Sequence, residues 1–294
     1  MKRIAGLMFG VLLGLTMLAP QAFAGLSFYP GNIDEILYNN YENLFAGSGH
    51  PGVAPGTLLP GTTVPVAGDH LAGIFQVNRV INLTGGGASN IPDVITFTGV
   101  FDQKITSISG GPAIFALTLG NPSIFTFTDG GADTFTLSDL SASKMFAVYV
   151  DPVAGGTPFT FQGTMASNVA DATDSALLLT AGIDTAHDPS NVSFATVFAP
   201  FPPFGVATTS LSIKDNNTGL SFSPHLPVTF VGPSGELVLQ SRFVPNSDPK
   251  SKWQFTSFDP AELEPNIIPE VSSLWMLGMG LSGVGLIRRK KLIV

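Results

Sequence analysis

The sequence contains no cysteine. Disulfide bonds, thiolate metal sites and cysteine nucleophiles are therefore excluded. A secreted chain without cysteine depends on its hydrophobic core, and about 240 residues can bury enough surface to form one. Only 12% of the residues are charged and 44% are hydrophobic, which excludes a charge-rich disordered protein.

Motifs of common catalytic centres are also missing. The histidines at positions 50, 70, 187 and 225 show no H-x-x-x-H spacing, and each is expected on the surface or in a loop. No G-x-S-x-G segment marks a hydrolase nucleophile. GSGHPG at 47–52 matches G-x-G-x-x-G, but prolines follow it where a dinucleotide-binding helix would begin. We therefore expect no cofactor and no enzymatic activity, although a glycosidase pair among the scattered aspartates is left open.

Glycine and proline are abundant, with 33 and 23 residues, and many of them separate short apolar runs. Such punctuation is typical of strands joined by turns. The alternation of side chains and a spacing of about ten residues predict an all-β body like an antiparallel β-sandwich. Eleven runs are predicted as strands: 73–83, 93–101, 113–119, 123–128, 133–140, 144–150, 158–164, 192–198, 206–214, 236–244 and 252–258.

Four segments have other assignments. The run from Asn32 to Gly47 has the pattern of a short helix, with Asn32 as its cap and Gly47 as its stop. Residues 47–68 are rich in glycine and proline and are predicted as a loop. Residues 171–182 fit either a short helix capped by Asp174 or a buried strand. Residues 199–205 form a proline-rich loop or a hinge between two subdomains.

The first 24 residues have the pattern of a secretory signal peptide. A basic start, MKR, precedes an apolar run, and Ala22 and Ala24 provide the small side chains of an A-x-A cleavage site. We expect export and cleavage before Gly25. The alternative, an amino-terminal membrane anchor, is disfavoured because the apolar run is short and the cleavage motif follows it promptly.

The charge of the chain is uneven. Seven basic and 20 acidic residues lie between residues 25 and 268, so this part has a formal charge of −13. A body of that charge repels nucleic acid and anionic lipid. We therefore expect no nucleic-acid partner.

The carboxy terminus contains 17 uncharged residues, 271–287. As a helix they would span roughly 26 Å, near the lower limit for crossing a bilayer. Basic residues beside a membrane span stay in the cytoplasm, so the body is expected outside the inner membrane. The simple interpretation is a permanent anchor. The basic residues that follow the run are Arg288, Arg289, Lys290 and Lys291.

The order of these features resembles the PEP-CTERM sorting signal of Gram-negative bacteria. That signal has Pro-Glu-Pro, a transmembrane run and a basic cluster, and here Pro269, Glu270 and Val271 precede SSLWMLGMGLSGVGLI and RRKK. Val271 stands where the family usually has its second proline. The resemblance covers only the tail, 267–294. It implies recognition by an exosortase, cleavage near Pro269–Glu270, and transfer of a transiently anchored body to the cell surface or medium of an exopolysaccharide-forming bacterium.

Two patterns in the body suggest binding sites. DGGADTFTLSD at 129–139 resembles one copy of a calcium-binding repeat, and Asp129 and Asp133 are its candidate ligands. A structural turn is the favoured interpretation, because such sites are shared between stacked copies. Thr-Phe-Thr occurs at 96–98, 126–128 and 134–136, a spacing that can face ice, but no regular period links the copies. The three phenylalanines are expected in the core.

These observations favour an exported, exosortase-sorted surface or matrix protein without a catalytic site. A carbohydrate-binding module that contacts exopolysaccharide, or a secreted hydrolase, is the alternative, since β-sandwiches host all three functions. Trp253 is the only tryptophan of the body that could form a platform for sugars. Ice binding ranks behind these functions.

The amino terminus provides a first prediction. Cleavage after Ala24 should give an exported protein whose amino-terminal sequence begins at Gly25, because the A-x-A motif ends there. Edman sequencing or mass spectrometry of the exported protein measures this directly. An intact Met1 on folded, exported protein would refute it.

Overall fold

A computed structural model describes residues 31–85, 88–90, 95–110, 114–123, 126–152, 163–198 and 204–267. The predicted signal peptide, the sorting motif from Pro269 to Val271 and the basic cluster 288–291 lie outside these residues. So do most of the predicted strand 158–164 and most of the hinge 199–205. In the described part of the chain, no helix has the length and apolar character needed to cross a membrane.

The described residues form fourteen strands and one helix. Helix α1 spans Met165–Thr173. The strands are β1 Asp34–Phe45, β2 His70–Asn82, β3 Ala88–Asn90, β4 Ile95–Gly110, β5 Ile114–Gly120, β6 Thr126–Thr128, β7 Thr134–Thr136, β8 Phe146–Pro152, β9 Ala176–Gly182, β10 Val192–Phe198, β11 Phe204–Asn216, β12 Leu220–Ser223, β13 Leu237–Pro245 and β14 Phe255–Ile267.

Twelve of these strands belong to one antiparallel sheet, which closes on itself. The ring runs β1, β2, β4, β8, β9, β11, β13 and β14, and β14 pairs again with β1. Closure leaves both edges of each ring strand paired over part of its length. Because unpaired strand edges promote aggregation, closure protects the paired parts of these strands from pairing with another chain.

Two long strands, β4 and β11, each pair with two different strands along one edge. Along one edge of β4, β8 pairs with the first half and β5 with the second half. Along one edge of β11, β10 pairs with the first half and β9 with the second half. Since β8 pairs with β9 and β5 pairs with β10, the gap between β4 and β11 is bridged twice.

The prediction of an antiparallel, all-β body is confirmed. A sandwich has two sheets that face each other, whereas here the facing walls belong to one sheet that closes through backbone pairing. Ten of the eleven predicted strands overlap observed strands. The residues on either side of the proline-rich segment form β10 and β11, which pair with each other in this sheet.

The prediction of a helix from Asn32 to Gly47 is wrong, because these residues form β1. Both edges of β1 are paired, one with β2 and the other with β14, more than 200 residues away. Local capping signals are outweighed by this long-range pairing. Polar residues at inward positions of β1 also conceal the two-residue period.

Residues 171–182 belong to two elements, the end of a helix and a strand. The helix ends at Thr173, so Asp174 follows the helix instead of capping its start, and Ala176–Gly182 is strand β9. The start of α1 is capped by Thr164, whose hydroxyl accepts a hydrogen bond from Ser167 N at 3.0 Å. The loop prediction for 47–68 is confirmed, since turns and irregular backbone occupy those positions.

Inside the ring, glycines make room for aromatic rings. Phe75 pairs with Gly99, and Gly73 pairs with Phe101. A Cβ atom on Gly99 would lie 2.1 Å from Cζ of Phe75, which no real side chain allows. These two glycines therefore permit Phe75 and Phe101 to lie across the neighbouring strand.

A second core covers the outer face of β2, β4 and β8. Helix α1 and the β6–β7 hairpin pack there around Phe127 and Trp253. The carboxylate of Asp133 accepts hydrogen bonds from the first backbone N–H groups of α1, and Thr98 Oγ1 donates to the carbonyl of Ala172 near its last turn at 2.8 Å. The sheet therefore holds the helix at both ends.

The phenylalanines of the three Thr-Phe-Thr segments are buried, as expected. Phe97 faces the interior of the ring, and Phe127 and Phe135 lie in the outer core. Phe127 is 0% exposed and stacks on Phe135 with ring centroids 5.2 Å apart. The hydroxyl groups of the outward threonines Thr126 and Thr136 form a hydrogen bond of 3.1 Å. Strands β6 and β7 therefore have the in-and-out alternation of amphipathic strands, whereas Thr98 of the first segment is buried beneath α1.

Truncation of the outer core should destabilise the protein. Phe127→Ala removes a fully buried ring and should lower the free energy of unfolding by about 3–5 kcal/mol, measured by chemical denaturation. Phe258→Ala is the matched control, because Phe258 lies on β14 with 57% of its surface exposed. A surface change of this kind should stay within about 0.5 kcal/mol. Equal effects of the two substitutions would contradict the described core.

Candidate functional site inside the closed sheet

The inward face of the ring carries polar side chains where a core is usually apolar. Asn40 and Glu42 point inward from β1, and Ser257 and Asp259 point inward from the neighbouring β14. Each of the four is at most 9% exposed. Asn40 is paired with Ser257, and Tyr38 with Asp259, in the β1–β14 register. The polar groups are thus brought together by pairing of the first and last strands.

Three of these side chains, Asn40, Ser257 and Asp259, form a cyclic hydrogen-bond network with Ser241 of β13. Asn40 Nδ2 donates to Ser241 Oγ at 3.3 Å, and Ser241 Oγ donates to Asp259 Oδ2 at 2.9 Å. Ser257 Oγ contacts both Asp259 Oδ2 and Asn40 Oδ1. The Ser257 hydroxyl has a single hydrogen, so a proton on Asp259 would complete the ring.

Burial favours the neutral form of both interior carboxyl groups. Burial, with the nearby charge of Asp259, raises the pKa of Glu42 from 4.5 to about 8. Burial raises the pKa of Asp259 from 3.8 to about 6, against hydrogen bonds from Ser257, from the backbone of Arg242 and from Ser241. The pKa of Tyr38 is also raised, by burial and by both carboxyl groups. Both acids are buried on the inward face, and the charge of Asp259 acts on Glu42.

Two cavities occupy the interior. The polar cavity encloses about 390 Å³ of empty space, solvent-filled space included. It is lined by Tyr38, Asn40, Glu42, Leu71, Phe101, Gln103, Phe146, Ala207, Thr209, Leu239 and Ser241. Because its walls carry a carboxyl group, amides and hydroxyls, this cavity can receive hydrogen-bond donors.

The apolar cavity lies toward the end of the ring where β1 begins. It encloses about 640 Å³ of empty space, again with solvent-filled space included. Among the described residues that line it, Tyr38 is the one whose side chain also carries a polar group. Its lining is Ile36, Tyr38, Phe75, Val77, Val80, Phe97, Phe146, Val148, Leu178, Leu179, Leu237, Leu239, Ala261 and Leu263.

The candidate calcium ligands have structural partners. Asp133 caps the start of α1, with its carboxylate oxygens 2.6 Å from Met165 N and 2.9 Å from Ala166 N. Asp129 Oδ1 accepts a hydrogen bond from Gly131 N at 2.8 Å within a turn. Among the described residues, no three histidine or acidic side chains converge in a way that could hold a metal ion. The favoured interpretation, a structural turn, accounts for both carboxylates.

The expectation that every histidine lies on the surface or in a loop is wrong for His70. His70 begins β2 and is 2% exposed, and its Nδ1 lies 2.9 Å from Asp102 Oδ1. Burial raises the pKa of Asp102, while the hydrogen bond and charge of His70 oppose this shift. His50 lies in the predicted loop and contacts Asp69, whose carboxylate also accepts the Gly47 and Val66 N–H groups. GSGHPG is therefore held to the sheet by Asp69.

The interior polar residues could not be identified from the sequence. Asn40 and Glu42 lie in YNNYEN, a polar stretch that looks like a solvated surface. Asp259 lies in a run where alternation alone does not tell the inward face from the outward face. The inward positions, Tyr38, Asn40 and Glu42, and the intervening positions, Asn39, Tyr41 and Asn43, both contain tyrosine and asparagine, so the local pattern does not distinguish the two faces.

The interior acids should make stability depend on pH. Since burial favours protonated Glu42, folding takes up a proton between pH 4.5 and about 8, and stability falls as the pH rises through that window. Asp259 adds a further decrease in stability as the pH rises from 3.8 to about 6. Glu42→Gln should remove most of the decrease in stability at the higher pH values of this window. It should stabilise the protein at pH 8 by about 1 kcal/mol or more, since one pKa unit corresponds to about 1.4 kcal/mol.

Denaturant titrations from pH 4 to 9 measure this profile. Glu35→Gln is the control, because Glu35 lies on the same strand at an outward position, seven residues from Glu42. It should leave the profile unchanged. A Glu42→Gln variant with the wild-type slope above pH 6 would show that Glu42 is not the group responsible.

The chain was compared with family models, curated proteins and solved structures of known proteins. It matches no family model, no curated protein and no solved structure. No relative therefore brings a function, a ligand or a catalytic role to this fold, and the function must be argued from the chain's own residues.

Proposed function

We propose that this chain is an exported surface or matrix protein that an exosortase sorts through its carboxy-terminal tail. Its body crosses the inner membrane, stays transiently attached through 271–287, and is then cut near Pro269–Glu270 and transferred to the cell surface or medium. The partners are the exosortase, the inner membrane during transit, and exopolysaccharide at the destination. The body acts without catalysis.

One observation carries the proposal: the sheet is complete before the sorting motif begins. Strand β14 ends at Ile267, two residues before Pro269. The last residues of β14 pair with β12, through Ser221–Asn266 and Leu220–Ile267. Cleavage at Pro269–Glu270 would therefore remove no residue of a described strand, and the released body keeps its closed sheet.

Strand β1 begins and strand β14 ends at the same end of the ring. β1 begins at Asp34, which pairs with Leu263 of β14, and Gly31 N donates to the carbonyl of Pro265 at 2.8 Å. A signal peptide before β1 and a tail after β14 would thus both reach the membrane from one side of the body. This geometry lets the body fold outside the membrane while the tail remains inserted.

Sugar binding through Trp253, Tyr38 or Tyr149 receives no support, because all three side chains are buried. Trp253 is 2% exposed, and its Nε1 donates to Asn168 Oδ1 at 3.0 Å inside the outer core. Tyr38 and Tyr149 are buried as well. The role that we propose in the matrix therefore does not rely on these aromatic side chains.

The sorting motif can be separated from a simple anchor. In a host that carries an exosortase, Pro269→Ala with Glu270→Ala should leave export and insertion intact but block release, because the protease must recognise these residues. Immunoblotting of inner-membrane, outer-membrane and medium fractions measures the distribution. Replacing the four basic residues 288–291 with glutamine is the contrasting variant, since it weakens the topology signal instead of the cleavage motif.

Wild type should appear mainly in the surface or medium fractions, and the double variant should accumulate in the inner membrane. Equal distribution of the two proteins would show that the tail is a permanent anchor. Release of the double variant from an exosortase-deficient host as well would show that a different protease acts.

A further inference from the structure

The apolar and polar cavities adjoin each other inside the ring. Tyr38, Phe146 and Leu239 line both of them. From Ile36 the interior is lined by hydrocarbon, and beyond Tyr38 it presents the amide of Asn40 and the carboxyl of Glu42. The combined space therefore has one apolar end and one polar end, like an amphiphile.

Glu42 is the group in this space that lacks a partner. The side chain is 2% exposed and lines the polar cavity, and its Oε1 atom has no hydrogen-bond partner among the described residues. By contrast, Asn40, Ser241 and Asp259 bond to one another. A buried polar atom without a partner is costly, and a native structure that retains one calls for an explanation.

The charge of the chamber indicates what could satisfy Glu42. When both are ionised, Glu42 and Asp259 repel each other, and among the described residues no lysine or arginine lines either cavity. A hydrogen-bond donor that also carries positive charge would bond to Oε1 and offset the repulsion. A carboxylate or phosphate head group would instead add a third negative charge to a low-dielectric space.

We propose that the interior of the closed sheet binds one amphiphilic cation, a primary alkylammonium, with its ammonium group at Glu42 and its alkyl chain in the apolar cavity. The ammonium donates to Glu42 Oε1, and the charge of the nearby Asp259 adds to the attraction. The chain displaces water from a hydrocarbon-lined space, so each added methylene should raise affinity about fourfold until the cavity is filled. This site is independent of the sorting tail.

The test uses the full chain reconstituted in phosphatidylcholine nanodiscs, with empty discs as the baseline for partitioning into lipid. Butyl-, hexyl- and octylammonium and octanoate are titrated calorimetrically at a pH of about 9, where Glu42 is ionised and an amine with a lysine-like pKa of about 10.4 is still charged. Saturable binding of octylammonium, with affinity that increases with chain length and with no binding of octanoate, is expected.

Two matched variants locate the head group. The Glu42→Gln variant should bind octylammonium at least tenfold more weakly than wild type. The Glu35→Gln variant, changed on the outward face of the same strand, should bind it with wild-type affinity. Asp259→Asn is a second interior variant, to be used if Glu42→Gln does not fold, and it should weaken binding as well. The wild-type comparison of octylammonium with octanoate requires no variant.

Three outcomes would overturn the proposal. The first is no saturable binding above empty discs, and the second is octanoate binding as tightly as octylammonium. The third is a folded Glu42→Gln protein with wild-type affinity. None of these results bears on the distribution of the Pro269 and Glu270 variants among cell fractions, so failure of the interior site and failure of the sorting proposal are distinguishable.

Discussion

The pairing of the first strand with the last is the constraint on which the rest of the structure depends. β1 lies between β2 and β14, and this contact converts an open antiparallel sheet into a ring. Without it, the inward residues of β1 and β14 would face solvent instead of each other. Because the paired residues are more than 200 positions apart, the loop that closes is long, and strand pairing must compensate for its entropy.

Closure also determines the electrostatics of the interior. Glu42 and Asp259 would be ordinary surface carboxylates on an open sheet. Inside the ring, burial raises the pKa of each, Glu42 to about 8 and Asp259 to about 6. The hydrogen-bonded ring around Asp259 moderates its shift, and the unsatisfied Oε1 of Glu42 marks the part of the chamber that has no such compensation. The buried carboxyl groups therefore lower the stability of the fold while giving its interior a polar region.

The chain compensates with packing on both sides of the sheet. The inner core fills the ring from Tyr38 to Leu263, and the outer core buries Phe127 and Trp253 under α1 and the β6–β7 hairpin. β4 contributes to both, with Phe97 on one face and Val100 on the other. Two layers of burial on one sheet give a cysteine-free body its stability without covalent crosslinks.

The sequence by itself determined the antiparallel all-β class, because alternating side chains separated by glycine and proline are a local property of the chain. It also predicted that Phe97, Phe127 and Phe135 are buried and that residues 47–68 form a loop. The tertiary structure decided what local patterns could not: that residues 34–45 form a strand, and that Glu42 and Asp259 are both buried on the inward face of paired strands. Where both faces of a strand carry polar and aromatic residues, as in YNNYEN, the hydrophobic pattern does not specify the inward face, and only pairing with the neighbouring strands fixes it.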